Sequence, residues 1–297
     1  MGRRGWVLFL ALGLIWGMPY LLIRIAVRDL DPLIVVFART TIGALILLPF
    51  ALRAKSLAQA FRHWKWLAAY TLIEISVPWL LIGYAETRLT SSTAGILIST
   101  TPLLAALAVA ARGGEPLGGR RLAGLVLGLV GVILLMGLDL DVGDLPAAAA
   151  LTMSAICYAI GPMVVAEKLK NVQPMGVVTG SLILAAALYL PFAPFVWPSS
   201  ITPEAAWSVF GLATLCTALA FILFFALIAE VGPARSTVIT YINPAVALVL
   251  GVIVLSEPLT IGMAVGFPLI IIGSILGTAG GRKNGTARAE KTRENAS

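Results

Sequence analysis

Ten long apolar runs dominate this 297-residue sequence. Each run spans 18 to 25 residues, and an α-helix needs about 20 residues to cross a hydrocarbon core of roughly 30 Å. The runs lack the apolar–polar alternation of membrane β-strands, so they predict helices rather than a barrel. We therefore expect an all-α integral membrane protein with ten transmembrane helices. The predicted spans are 5–27, 33–52, 66–85, 92–111, 121–138, 145–166, 174–196, 204–228, 234–254 and 260–279.

The composition excludes a soluble globular protein. Hydrophobic residues make up 59% and charged residues 12% of the chain, whereas soluble domains are typically about 45–50% apolar and about 25% charged. The mean hydropathy is +0.98, so lipid is the expected surrounding of most of the surface. The net charge is +7, but the basic residues lie in short gaps between the apolar runs. No nucleic acid is therefore expected as a partner.

The distribution of Lys and Arg predicts the orientation of the chain in the membrane. With a cytoplasmic N-terminus, 17 of the 21 basic residues fall in inner gaps or in the C-terminal tail, and only Arg28 and Arg88 fall in outer gaps. Short cytoplasmic loops are enriched in Lys and Arg. Both termini are therefore predicted to be cytoplasmic, and residues 282–297 are predicted to form a disordered basic cytoplasmic tail.

The residues that would support enzymatic chemistry or metal binding are scarce. Cys157 and Cys216 lie in separate apolar runs, and His63 is the single histidine. These residues are too few for a zinc centre, so no metal and no cofactor are expected. The sequence also contains no GxxxxGK[ST], HExxH or GxSxG motif, which argues against an ATP-driven pump or an intramembrane hydrolase.

The two halves of the chain match each other at a constant shift of 142 residues. Pro32 aligns with Pro174, and Pro102 with Pro244. The other matched residues include Gly124 with Gly266, Gly131 with Gly273, and Glu115-Pro116-Leu117 with Glu257-Pro258-Leu259. We predict a first five-helix repeat at 1–140 and a second at 141–281. Because five is odd, the second repeat must have the opposite topology.

Inverted repeats of this kind are typical of secondary transporters. Exchanging the packing of the two halves opens a central cavity alternately to each side of the membrane. The alternative is that duplication only built a stable helical bundle. The matched proline breaks described below favour the transporter.

Several segments resemble the drug/metabolite transporter superfamily. They are LIWGMPYLLIR in the first span, FARTTIGALILLP in the second, TSSTAGILISTTPLLAALAVAARGGEPL across the fourth and STVITYINPAVALVLGVIVLSEPLT across the ninth. The resemblance covers nearly the whole chain and points to the EamA-type branch of ten-helix bacterial inner-membrane exporters with two five-helix repeats. It implies export of amino acids, other metabolites or toxic cations. Within this branch, the chain is similar to aromatic amino acid exporters.

Two charged side chains interrupt the apolar runs. Glu74 lies about eight residues into the third span, where an ionised carboxylate costs roughly 2.5–3.5 kcal/mol on insertion scales. It is either a substrate-ammonium contact, a proton carrier or a structural residue hydrogen-bonded to a neighbouring helix. Arg39 in the second span has three alternatives: snorkelling to the outer headgroups, binding a substrate carboxylate, or pairing with Glu74.

Prolines mark candidate hinges within the spans. A proline inside a helix frees a backbone carbonyl, which then needs another partner or water. The matched positions in the two halves suggest hinges or cavity walls, although proline is also common in membrane helices without such a role. The candidate hinges are Pro19, Pro78, Pro102, Pro162 and Pro244.

Aromatic, hydroxyl and small residues near these breaks are candidates for lining a substrate cavity. Some recur at helical spacing, and small and hydroxyl faces are also how membrane helices pack closely. The candidate cavity or substrate-binding residues are Trp16, Tyr20, Glu74, Trp79, Tyr84, Ser92, Gly95, Ser99, Tyr158, Thr240 and Tyr241.

These features together predict a multi-pass secondary transporter of the bacterial inner membrane. Its expected substrate is a small neutral or zwitterionic metabolite, with an aromatic or larger neutral amino acid expected first, exported by alternating access. A multidrug exporter of lipophilic cations is the alternative, and a channel or an intramembrane enzyme is a distant one. Membrane lipid is an expected partner. Proton coupling stays open, as does the choice between monomer and homodimer.

Overall fold

The computed structural model describes residues 2–112, 118–232 and 236–278, and these residues form helices without any β-strand. This confirms the predicted all-α class. The tail at 282–297 and the Glu115 motif lie outside the described residues. The first five helices are α1 (Arg3–Ala26), α2 (Pro32–Arg53), α3 (Trp64–Glu86), α4 (Ser91–Ala111) and α5 (Gly119–Asp139). The next five are α6 (Leu145–Lys168), α7 (Pro174–Tyr189), α8 (Pro203–Val231), α9 (Asn243–Leu255) and α10 (Ile261–Thr278).

Short helical segments connect some of these helices. A surface helix, Ser56–Arg62, precedes α3. Single 3₁₀ segments lie at Val142–Asp144 before α6, at Ala193–Val196 after α7 and at Thr237–Tyr241 before α9.

The described helices are those of a multi-pass membrane protein. Seven of them, α1 to α6 and α8, are long and apolar enough to cross a membrane, and α7, α9 and α10 are shorter apolar helices. A helix therefore lies at each predicted span. That all ten cross the bilayer, with both termini cytoplasmic, stays a prediction.

Side-chain caps and prolines fix several helix starts. The Asp31 carboxylate accepts a hydrogen bond from the Leu33 amide at 2.8 Å, at the start of α2. Thr90 and Thr202 cap α4 and α8 in the same way. These caps satisfy amide groups that lack partners within the helix, and prolines in the first turn need none.

Three predicted spans differ from the observed helices because of proline. The seventh span was expected to run to 196, but α7 ends at Tyr189, since Pro191 and Pro194 cannot continue the helical hydrogen bonding. Helix α4 is broken at residues 99–100, just before Pro102. In the ninth span a 3₁₀ segment comes first, and α9 begins at Asn243 with Pro244 in its first turn.

The two halves interlock rather than forming separate lobes. Helix α1 packs against α8 and α9, whereas α3 packs against α6. Other inter-half contacts join helices at equivalent positions of the two repeats: α2 with α7, α4 with α9, and α5 with α10. In addition, α2 packs against α8, and α4 packs against α6. The helices that carry candidate site residues thus meet in the middle of the bundle.

Glycines allow α5 and α10 to pack backbone against backbone. A Cβ on Gly131 would lie 2.8 Å from the Gly266 carbonyl oxygen, and one on Gly124 would lie 2.7 Å from that of Gly273. Close approach through small residues is a common way for membrane helices to associate. The two contacts are equivalent in the repeat. Gly124 aligns with Gly266 and Gly131 with Gly273, so the Gly131–Gly266 contact corresponds to the Gly273–Gly124 contact.

The glycine contact yields a stability prediction with an internal control. Gly131→Ala should destabilise the protein by about 1–3 kcal/mol, because the added methyl overpacks a backbone contact. Gly137→Ala on the same helix should be neutral or slightly stabilising, since no atom lies within 4 Å of its added Cβ. Thermal unfolding of the two detergent-solubilised variants measures the difference. Equal midpoints would show that the α5–α10 contact is not tight.

The predicted topology can be tested by cysteine labelling. Arg62 precedes α3 and Ser199 precedes α8, and both are exposed. We expect a membrane-impermeant maleimide to label Ser199→Cys in right-side-out vesicles and Arg62→Cys only in inverted ones, in a background with Cys157→Ala and Cys216→Ala. Labelling of both positions from one side would contradict the ten-helix topology.

Candidate functional site

Two π-helical segments interrupt α3 and α8 at nearly equivalent positions of the repeats. They are Thr71–Ser76 and Thr214–Leu219. π-Helical turns occur often at functional sites because they displace side chains and free backbone groups. Helix α7 is hydrogen-bonded to the first segment, because the Tyr189 hydroxyl donates to the Ser76 carbonyl oxygen at 2.8 Å.

Helix α2 is hydrogen-bonded to the second segment through Arg39. The Arg39 Nε donates to the Thr217 hydroxyl at 2.9 Å, and that hydroxyl donates to the Leu212 carbonyl oxygen at 2.8 Å. Each π-helical segment is thus held by a side chain from the opposite half. Both segments therefore lie on the interface that would have to rearrange if the halves moved.

Glu74 projects from the first π-helical segment into the space beside α6. It is half-buried, and its Oε2 is a buried atom without a hydrogen-bond partner among the described residues. The neighbour on α6 is Gly161, where any side chain would collide with that oxygen. A buried polar atom without a partner is costly. The glycine therefore leaves room for a carboxylate that lacks a partner within the described chain.

Arg39 is buried rather than exposed at the membrane surface. Its exposed fraction is 7%, and its guanidinium carbon lies 3.6 Å from the centroid of the Trp79 ring. This cation–π contact and the bond to Thr217 argue against snorkelling. No ion pair joins Arg39 to Glu74 within the described part of the chain, where Arg112 and Glu167 form the pair that is present.

Aromatic residues lie near both of these charges. Tyr158 packs against the apolar cluster that contains Trp79, and it interacts electrostatically with both Glu74 and Arg39. Tyr20 on α1 interacts with Tyr158 and Arg39. We call this group the central cluster: Tyr20, Arg39, Glu74, Trp79 and Tyr158.

Trp16 lies beside the central cluster, on the α1–α8 contact. Its ring packs against Phe224 with a centroid distance of 4.9 Å and against Phe221 at 6.2 Å. This aromatic group adds apolar surface next to the charged side chains. It would suit a ligand that carries an apolar part.

The other candidate cavity residues lie elsewhere. Tyr84 is 37% exposed and lies outside the apolar clusters that hold Trp79 and Tyr158. Thr240 is exposed, and the Tyr241 hydroxyl donates to the Ser274 carbonyl oxygen at 3.3 Å. The structure therefore does not bring these three residues into the central cluster.

The polar and small residues of α4 are used in packing and capping. Ser99 donates to the Ile96 carbonyl oxygen at 2.5 Å, next to the break before Pro102. A Cβ on Gly95 would lie 2.6 Å from the Ala247 Cβ of α9, with the Tyr20 ring close by. Ser92 is buried in a contact with Glu257. In this conformation the α4 face is closed against α9.

The candidate hinge prolines fall into two groups. Pro78, Pro102 and Pro244 each lie in the first turn of a helical segment, directly after a π-helical, broken or 3₁₀ stretch. Pro19 and Pro162 lie inside continuous helices, α1 and α6. The first group therefore marks discontinuities in the backbone. The hinge role of all five stays a prediction.

Two further acidic side chains are buried in the structure and are absent from the candidate residues predicted from the sequence. Glu86 at the end of α3 is fully buried, and Glu257 after α9 is 9% exposed. Sequence analysis missed both because each lies at the edge of an apolar run, where a charged residue is usually solvated. The repeated Glu-Pro-Leu motif could have identified Glu257, because Glu257 aligns with Glu115 in the internal repeat.

The described residues contain no group of three or more His, Cys, Asp or Glu side chains placed to hold a metal ion. The polar groups at the site are one carboxylate, one guanidinium, phenols and an indole. These groups bind ligands by charge, hydrogen bonding and stacking.

Proteins similar in sequence to this chain carry names that describe them as transporters. The "Uncharacterized transporter YoaV" of Bacillus subtilis (strain 168) is 24% identical over 276 residues, covering 89% of this chain and 93% of its own. The "Uncharacterized inner membrane transporter YedA" of Escherichia coli (strain K12) is 27% identical over 276 residues, covering 91% of this chain and 89% of its own.

A solved crystal structure has the same fold. It matches with a TM-score of 0.66 and 20% sequence identity, covering 95% of this chain and 100% of its own. The sequence model of the EamA-like transporter family matches twice, at residues 3–137 and 145–278. Because these two matches together span most of the sequence, the chain belongs to the EamA-like transporter family.

Proposed function

We propose that this protein is a secondary-active transporter that exports small zwitterionic or neutral metabolites by alternating access, with aromatic and larger neutral amino acids as its substrates. The observation that carries this proposal is the central cluster. Glu74 and Arg39 lie near one aromatic group, and neither charge has an opposite charge as its partner among the described residues.

An amino acid supplies the groups that this arrangement lacks. Its ammonium would donate to the Glu74 carboxylate, and its carboxylate would accept from the Arg39 guanidinium, whose Nε is already bound to Thr217. Charge-assisted hydrogen bonds of this kind are stronger than neutral ones. The rings of Trp79, Tyr158 and Tyr20 offer an apolar surface for the substrate side chain.

The distribution of charge argues against strongly anionic substrates. A phosphorylated solute needs several cationic groups, whereas Arg24 and Arg39 are the cations within the described membrane helices away from their cytoplasmic ends. Lipophilic cations are the alternative substrate class, since Glu74 and the aromatic faces would suit them. The buried Arg39 next to the same rings disfavours that alternative.

We also propose a cellular location and an oligomeric state for the protein. We place the protein in the bacterial inner membrane, which is the location named for the YedA relative. It works without a cofactor, is not an enzyme, and is a monomer or a homodimer surrounded by lipid. A channel is the distant alternative, and accelerated exchange in the presence of substrate on the opposite side would distinguish a carrier from it.

Substrate class can be tested with purified protein in liposomes. We expect counterflow of radiolabelled tryptophan or phenylalanine, with competition by threonine and methionine, run with and without a pH gradient. The competition should be saturable, because all of these substrates would use the same two charged groups. Transport of a nucleotide sugar without competition by any amino acid would refute the assignment.

The two charges can be tested separately. Arg39→Gln should raise the half-saturating concentration for amino acids roughly 10- to 100-fold, because each lost charge-assisted hydrogen bond is worth about 1.5–3 kcal/mol. It should spare a lipophilic cation such as tetraphenylphosphonium if that compound is transported. Arg62→Gln, at an exposed position, is the matched control. An unchanged half-saturating concentration in Arg39→Gln would remove Arg39 from the substrate site.

Glu74→Gln distinguishes two roles of the carboxylate. Weaker amino acid binding is expected if Glu74 contacts the ammonium group. Loss of the pH-gradient response with exchange retained would instead identify Glu74 as the proton carrier. Glu204→Gln, on the exposed first turn of α8, controls for the loss of an acid. If Glu74→Gln behaves like this control, Glu74 has a structural role.

A further inference from the structure

The second half of the chain holds the start of α4 through Glu257. Its Oε1 accepts hydrogen bonds from the Ser91 amide at 2.8 Å and the Ser91 hydroxyl at 2.9 Å. Its Oε2 accepts from the Ser92 amide at 3.0 Å and the Ser92 hydroxyl at 2.5 Å. Four donors therefore converge on one carboxylate at the amino-terminal end of α4. We call this contact the Glu257 clasp.

Glycine makes room for the Glu257 clasp between α4 and α9. A Cβ on Gly251 would collide with the hydroxyls of Ser91 and Ser92 and with the Glu257 carboxylate. One turn deeper, Gly95 lies against Ala247. The two helices are therefore in close contact at this end of the bundle, which the charge distribution predicts to be the outer side. The clasp is closed in this conformation.

Behind the clasp lies a second carboxylate that has no such donors. Glu86 is fully buried, and neither of its carboxylate oxygens has a hydrogen-bond partner among the described residues. The Arg24 guanidinium donates to the backbone carbonyl oxygen of Glu86 rather than to its carboxylate. The titratable or charged groups that interact with Glu86 in the described chain are Arg24 and Tyr20 on α1 and Glu257 after α9.

The surroundings of Glu86 accommodate the neutral acid better than the carboxylate. A buried charge without hydrogen bonds is costly even when an opposite charge is near. Arg24 reduces this cost, but a negative charge on Glu257 would increase it. Because the clasp supplies its four donors to Glu257, none of them is left to stabilise a second carboxylate.

We propose that Glu86 is a proton-binding site whose occupancy is linked to closure of the Glu257 clasp. When the clasp opens, water reaches Glu86 and its carboxyl group gives up the proton to that water. When Glu86 takes up a proton, its burial no longer carries the cost of a buried charge, and the clasp closes. This role goes beyond the proposed substrate site and requires only that the clasp opens during the transport cycle.

The link determines the direction of the pH response. The closed state binds one more proton than the open state, so raising the pH favours opening. Within the pH range where Glu86 titrates, the ratio of open to closed protein changes by up to about tenfold per pH unit. No substrate is needed for this response.

A cysteine behind the clasp reports opening directly. Ser99 is buried and lies seven residues, about two turns, below Ser92 on the same face of α4. We would place Ser99→Cys in a background with Cys157→Ala and Cys216→Ala. Right-side-out vesicles are then exposed to a membrane-impermeant maleimide at pH values between 5.5 and 8.5.

The matched variant Glu86→Gln in the same background shows the intrinsic pH dependence of thiol reactivity. We expect the labelling rate of the reporter with Glu86 intact to rise with pH at least roughly tenfold more than the rate with Glu86→Gln. Glu86→Asp keeps a titrating group and should retain the pH response, which separates titration from a folding defect. Glu257→Gln, which weakens the clasp, should raise labelling at every pH.

The same measurements can overturn the proposal. Identical pH dependence with Glu86 and Glu86→Gln would show that protonation of Glu86 is not linked to opening. Labelling that is unaffected by Glu257→Gln would show that the contact does not close this side. Because the readout uses no substrate, either result leaves the proposed amino acid specificity standing, and failure of amino acid transport leaves this test intact.

Discussion

Polar groups in a helical bundle within lipid must find partners inside the protein, and this requirement governs how the side chains of this transporter are arranged. Several buried hydroxyls donate to a carbonyl oxygen one turn earlier on the same helix, as Thr40 and Thr71 do. The π-helical segments are held by Arg39 and Tyr189 from the opposite half. Glu74 and Glu86 are the acidic side chains that have buried carboxylate oxygens without a hydrogen-bond partner among the described residues.

The repeat supplies a symmetric scaffold, whereas the chemistry placed on it is asymmetric. The glycine contacts of α5 and α10 and the two π-helical segments follow the repeat. The charges do not, since the repeat equivalent of Glu74 is Cys216 and that of Arg39 is Ser181. A symmetric scaffold lets the two halves exchange conformations. Under the proposed function, an asymmetric charge pattern would let one ligand bind in a single orientation between them.

Sequence reasoning found the features that depend on local pattern. The apolar runs located the helices, and the interruption of those runs identified Glu74 and Arg39. It could not foresee the π-helical segments, because they leave hydropathy unchanged. It also missed Glu86 and Glu257. These residues become buried only when the start of α4 meets the segment after α9, and Ser91 and Glu257, which join the two, are 166 residues apart in the sequence. Long-range packing, rather than local sequence, decides which terminal charges of a helix are solvated.

Tyr20 gives the two acidic sites a common neighbour. On one side it interacts with Glu86, and on the other with Tyr158 and Arg39 of the central cluster. Its ring also lies next to Gly95, where α4 closes against α9. Movement of α4 away from α9 would therefore change the surroundings of Tyr20 at the same time as it hydrates Glu86. Because Tyr20 interacts with both regions, we expect opening of the proposed clasp to alter the central cluster, and one phenol would then link the proposed proton binding to substrate binding.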